Sequence, residues 1–289
     1  MTVACVVKGH DALGESAIWC ARTRRLWWVD ITKPCLQSFE PATGEHRVIA
    51  LPGQFCGCIA LRATGGLVLA IERSLHAFDP QTGALTVLVK TETDLPDNRL
   101  NDGRCDRRGR LWIGTMDADI RTPSGSFYRI GPDGTVTRMF GDVTVPNSTA
   151  FSPDDRTLYF ADTPRHQILA FDFDIVAGTI TNRRVFADLT DRRGLPDGSC
   201  VDAEGFLWNA EFAGARLVRY APDGRVDRTV EMPVKHTTSC CFGGDNLDTL
   251  FVTTASFPLS EEERKTSPAG SLFALQPGVR GLPEAAFGG

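Results

Sequence analysis

Leu26-Trp27-Trp28-Val29-Asp30 opens a pattern that returns five times: Leu67-Val68-Leu69-Ala70-Ile71, Leu111-Trp112-Ile113-Gly114-Thr115, Leu158-Tyr159-Phe160-Ala161-Asp162, Leu207-Trp208-Asn209-Ala210-Glu211 and Leu250-Phe251-Val252-Thr253-Thr254. The anchors start 41, 44, 47, 49 and 43 residues apart, the spacing of four-stranded propeller blades. Around each anchor the chain reads as four short strands. An apolar strand precedes the anchor, and a third strand follows it, such as Leu36 to Phe39 or Leu217 to Tyr220. A turn of the type Pro41-Ala42-Thr43-Gly44 or Pro132-Asp133-Gly134 then leads into a fourth. Proline presets φ and glycine tolerates positive φ, so these are hairpin turns with a mechanism.

The sixth unit lacks a fourth strand, because Gly278 to Gly289 is rich in glycine and proline. Val3 to Val7 is a spare strand that precedes any first one. The expectation is therefore an all-β, six-bladed β-propeller whose ring is closed by the N-terminal strand, which removes an exposed sheet edge. No linker interrupts the units, so residues 1–289 read as a single domain.

Composition narrows the function classes. With 31 Lys and Arg against 36 Asp and Glu, the formal charge is −5 and evenly scattered, unlike a nucleic-acid or anionic-membrane surface. The longest apolar run before Ala17 is Val3 to Val7, too short for a signal peptide, and no apolar run approaches a membrane span. The nine cysteines form no metal-type C-x-x-C pair. They read as reduced thiols behaving as small hydrophobes, which places the protein in the cytoplasm.

In a propeller the innermost strands start together at one channel mouth. Counting back 10 or 11 residues from each anchor leucine finds Glu15, Cys56, Asn101, Asn147, Asp197 and Ser239. Four of these are carboxylates or amides, which are costly to bury unless paired, hydrated or coordinated. As hard oxygen donors they suit calcium, magnesium or manganese better than a structural zinc. A water-filled, hydrogen-bonded mouth is the equal alternative from register alone. No G-x-S-x-G nucleophile motif, P-loop or EF-hand loop is present.

The segments Leu13-Gly14-Glu15-Ser16, Asn98-Arg99-Leu100-Asn101-Asp102-Gly103, Gly114-Thr115-Met116, Leu195-Pro196-Asp197-Gly198 and Cys240-Cys241-Phe242-Gly243-Gly244 resemble the regucalcin/gluconolactonase (senescence-marker-protein) family of sugar lactonases. The likeness spans the whole chain and implies the same six-bladed fold. It implies that Glu15, Asn147 and Asp197 hold one divalent metal ion, with calcium favoured and zinc, manganese, magnesium or iron(II) as alternatives. It implies further that Arg99 and Asn101 contact the hydroxyls of a sugar lactone. Asp119 stands where relatives place a substrate-contacting glutamate, and Ser148 where many carry glycine; little effect of the latter on the metal ligand is expected.

The expected activity is metal-dependent hydrolysis of an aldonolactone to the aldonic acid, in bacterial-type sugar oxidation. Asp197 is the candidate general base, with hydroxide on the metal as the alternative. The expected partner is a small sugar lactone, with no nucleic acid and no membrane. A non-enzymatic calcium-binding regulatory or scaffold propeller is the rival reading, because fold alone does not separate the two. Asp30, Asp162 and Glu211, at the ends of second strands, read as bracing groups, and His236 as a packed or solvated histidine.

Overall fold

A computed structural model describes all residues, Met1–Gly289. Six small antiparallel sheets form a ring, and each blade follows the chain from its innermost strand outward. The innermost strands are Gly14–Cys20, Cys56–Arg62, Asn98–Cys105, Pro146–Phe151, Leu195–Val201 and Thr237–Gly243, and each touches the next, the last returning to the first. The anchor segments are the second strands in every blade.

The ring closes as expected. Ala4–Val7 pairs antiparallel with Leu272–Leu275 and becomes the outer strand of the sixth blade. The C-terminal tail also finds a place, which its composition did not suggest. Ala286–Phe287 adds a short parallel pairing to Leu61 and Arg62, Gly281 bridges Asp202, and Glu284 pairs with Arg104 at 2.8 Å. Phe287 is 1% exposed. The tail thus crosses the face opposite the strand starts and tethers the second, third and fifth blades.

Apolar side chains of adjacent sheets form the core between blades. One cluster joins Cys58, Val68 and Leu75 of the second blade to Leu111, Ile113 and Ile130 of the third; another joins Trp112 and Phe127 to Phe160 and Phe171. The turns that start the second strands are fixed by buried carboxylates. Asp106 accepts from the Arg108 and Arg110 N–H groups and from Trp112 Nε1, and Asp202 accepts from Glu204, Phe206 and Trp208 Nε1 in the same way. Each carboxylate therefore ties a turn to the tryptophan of its own blade. All nine cysteines are free thiols, most of them buried.

The excursion between the second and third strands of the sixth blade contains the one α-helix, Glu261–Thr266, closed by a capping box between Ser260 and Glu263. No helix is long and apolar enough to cross a membrane.

Candidate active site at the channel mouth

All six innermost strands carry a β-bulge at the same register, between Glu15 and Ile18, Cys56 and Cys58, Leu100 and Gly103, Asn147 and Ala150, Pro196 and Ser199, and Thr237 and Cys240. A bulge re-aims side chains and ends regular pairing. Here Glu15 and Asn147 stand at the bulge edge, while Asn101, Asp102 and Asp197 fall inside it. The site residues are therefore within the strands rather than ahead of them. One count needs correction: in the sixth blade the bulge places Thr238 beside Ser239, and Thr238 donates to the Gly14 carbonyl next to Glu15. In the second blade Cys56 belongs to the apolar core.

Two glycines make this crowding possible. A Cβ on Gly198 would lie 2.7 Å from Ser239 Oγ, and one on Gly114 would lie 2.1 Å from Pro146 Cβ. Gly114 thus lets the third blade close on the residue preceding Asn147. Ser148 takes the left-handed conformation (φ 60°) that favours glycine, yet it is a serine. Its hydroxyl donates to the Asp197 carbonyl at 2.6 Å and accepts from Asn209 Nδ2 at 3.1 Å, tying the fourth blade to the fifth.

The polar groups converge as follows. Arg99 is 6% exposed and its Nη1 donates to Asn101 Oδ1 at 2.7 Å. Its guanidinium lies 5.3 Å from the centre of the Phe55 ring. Arg99 forms no salt bridge with the nearby Asp94 or Asp97; Arg121 pairs with Asp97 instead. Asn101 Nδ2 donates to the Pro146 carbonyl and lies 3.4 Å from Asn147 Oδ1. Asn147 Nδ2 donates to Thr163 Oγ1 at 2.8 Å, which turns the amide oxygen toward Asn101 and the channel. Asp119 stands apart, exposed on the rim, 3.8 Å from Arg121, but it lines the same cleft as Arg99.

Three carboxyl groups share the channel. Those of Glu15 and Asp197 act on each other electrostatically, and Asp102, whose Oδ2 accepts from the Thr149 N–H, adds its charge to both. Burial, with repulsion from Asp102, pushes Glu15 up to about 8; burial, Glu15 and Asp102 hold Asp197 well above the usual carboxylate range. Arg99 is the cation that opposes this charge at Glu15. Asp197 Oδ1 is buried with no hydrogen-bond partner. Clustered acids with an orphaned oxygen are an expensive arrangement when buried. A divalent cation relieves both costs at once, so the donor set fits the metal that the family resemblance implies. Asp102 was missed as a site residue because Asp-Gly also reads as a turn; the repeat register one residue earlier was the signal that pointed to it.

The other sequence expectations sort cleanly. Asp30 accepts from the Ala12, Leu13 and Lys33 N–H groups, Asp162 from Thr144 and Val145, and Glu211 pairs with Arg216 and Tyr220, so all three brace the mouth loops. His236 packs on Phe212 with ring centres 4.9 Å apart, and its Nδ1 has no partner.

Comparison with known proteins adds independent support. Residues 13–256 match the family described as SMP-30/Gluconolactonase/LRE-like region. The chain is 35% identical to a 6-deoxy-6-sulfogluconolactonase of Pseudomonas putida, covering 100% of this chain and 99% of that one. It is 37% identical to an L-arabinolactonase of Azospirillum brasilense, covering 97% and 93%. The crystal structure of regucalcin from Agrobacterium tumefaciens, described as a calcium-binding protein, superimposes with a TM-score of 0.93 at 35% identity, covering 98% of this chain and 96% of that one. With a family model matched over most of its length and relatives of 35% and 37% identity covered nearly end to end, this chain belongs to the SMP-30/gluconolactonase family.

Proposed function

We propose that the protein, as one domain, is a metal-dependent sugar lactonase that opens an aldonolactone to the aldonic acid. The observation that carries the reading is the convergence of Glu15, Asn147 and Asp197, with an orphaned Asp197 oxygen, beside the bonded pair Arg99 and Asn101. Relatives named as lactonases agree with it.

Glu15, Asn147 and Asp197 would hold one divalent ion, with calcium favoured by their hard oxygen donors and by the calcium-binding relative. When bound, the ion supplies Lewis acidity toward the lactone carbonyl and relief of oxyanion charge. Arg99 and Asn101 orient the ring through its hydroxyls: the arginine fork offers several donors, and the Arg99–Asn101 bond sets the amide's direction. Asp197 takes a proton from the attacking water as oxygen adds to the carbonyl carbon. It then returns that proton to the ring oxygen as the ester bond breaks, so one water is consumed per ring opened. Ser148 and Asn209, both bonded to the Asp197 carbonyl, hold that residue in place. Asp119 closes the outer end of the cleft.

The test is a panel of aldonolactones with purified protein, with and without chelator. Metal-dependent acceleration of at least one lactone supports the reading. Saturable calcium binding with no acceleration across the panel favours the non-enzymatic, calcium-binding propeller instead.

A further inference from the structure

The nine free thiols take no part in the proposed hydrolysis, and two of them touch. Cys200, on the innermost strand of the fifth blade, and Cys240, on that of the sixth, place their sulfurs 3.7 Å apart. Both are buried. The thiols of Cys5 and Cys58 reach backbone carbonyls instead. The two strands are already close at this level: a Cβ on Gly198, two residues before Cys200, would lie 2.9 Å from Ser239 Cα, the neighbour of Cys240. A disulfide needs sulfurs about 2.05 Å apart on closely spaced backbones. The seam supplies the spacing, and a further approach of the two sulfurs supplies the bond length.

Packing alone accounts for buried thiols; what sets this pair apart is a route to it from the face opposite the mouth. A cavity of about 50 Å³ under the C-terminal tail is lined by Cys200, Arg104 and Glu284, and its wall includes the exposed Pro283. Such a space takes water or a molecule of two heavy atoms and shuts out bulky thiol reagents. Burial, with the contact to Cys240, holds the Cys200 thiol well above its ordinary value, and the Arg104 guanidinium opposes this. Cys200 is therefore the sulfur that a small oxidant meets first, and it reacts slowly. Cys240 is fully buried, donates to the Trp208 carbonyl and is reached through Cys200.

We propose that Cys200 and Cys240 are a redox modification site, at which hydrogen peroxide joins the innermost strands of the fifth and sixth blades through a disulfide. Cys200, as thiolate, attacks one peroxide oxygen; the O–O bond breaks, and the departing oxygen leaves as water with the thiol proton. Cys240 then attacks the sulfenic sulfur, the S–O bond breaks, and the hydroxyl leaves as a second water with the Cys240 proton. The two thiols lose two electrons and the peroxide gains them. The bond staples the seam three residues after Asp197, and it stands apart from the lactonase reading. The test treats the whole protein with dilute hydrogen peroxide, blocks the remaining thiols after unfolding, and maps the digest by mass spectrometry. A Cys200–Cys240 cross-linked peptide is expected, and dithiothreitol should remove it. The Tm of the oxidised protein should rise by about 3–8 °C and return on reduction. Under the same treatment Cys240→Ser should show neither cross-link nor rise, and its Cys200 peptide should gain oxygen instead. Where that variant does not fold, the map of the unaltered protein decides. Oxidation of the exposed Cys5 with Cys200 and Cys240 still reduced overturns the proposal. So does a bond from Cys200 to any other cysteine, or a cross-linked protein whose Tm is unchanged or lower.

Discussion

At the scale of single residues, the proposed hydrolysis turns on Asp197. Its backbone is pinned by Ser148 and Asn209, while one of its own oxygens stays free and buried. Asp197→Asn keeps the shape but removes the charge and the proton acceptor, so kcat should fall by about a thousandfold or more. Normal activity in that variant would remove Asp197 from the chemistry. The acid cluster also predicts a pH effect on the metal-free protein. Glu15 titrates near 8 in the fold against an ordinary 4.5, so between those values the folded chain binds more protons than the unfolded one. Stability must then fall as pH rises through that window. Thermal melts of chelated protein at pH 5 and pH 8 should show it, with added divalent ion restoring more at pH 8. A chelated protein equally stable at both values contradicts the clustering. Most of this site was legible because the repeat register picks out Glu15, Asn101, Asn147 and Asp197. Asp102 was not, since register marks strand positions and a bulge places two residues where counting allows one.

At the scale of elements, the N-terminal strand is the one whose removal is most informative. Ala4–Val7 covers the outer edge of Leu272–Leu275, and Val7 is 8% exposed. Deleting residues 1–8 loses this pairing and uncovers an edge, costing about 3–5 kcal/mol from the lost burial and hydrogen bonds. For a chain of this size that corresponds to a fall in Tm of about 10 °C, measurable by calorimetry. An unchanged Tm would show that the ring closes some other way. This strand was readable because an unmatched strand at one end answered a missing one at the other. The C-terminal tail and the helix Glu261–Thr266 were not readable. The tail is held by isolated contacts such as Arg104 with Glu284 rather than by periodicity, and the helix buries none of its residues, so it carries no amphipathic pattern.

At the scale of the whole molecule, six copies of one blade turn a local irregularity into a site. A single bulge in one sheet would be a minor distortion; repeated around the ring, the bulges bring Glu15, Asn101, Asn147, Asp197 and Thr238 to one mouth, while the second blade gives Cys56 to the apolar core. The tail crosses the other face, away from the mouth formed by the strand starts. The repeat therefore specifies the fold and the place of the site, while the identity of the residue in each blade specifies what is done there. If this ring of unlike residues holds one catalytic divalent ion, a metal titration of chelated protein, with gluconolactone hydrolysis followed at each step, will show it. Activity should be near zero without metal and should saturate at one ion per chain, with Asp197→Asn staying inactive throughout. Full lactonase activity in metal-free protein, or saturation with no turnover of any lactone, would contradict it.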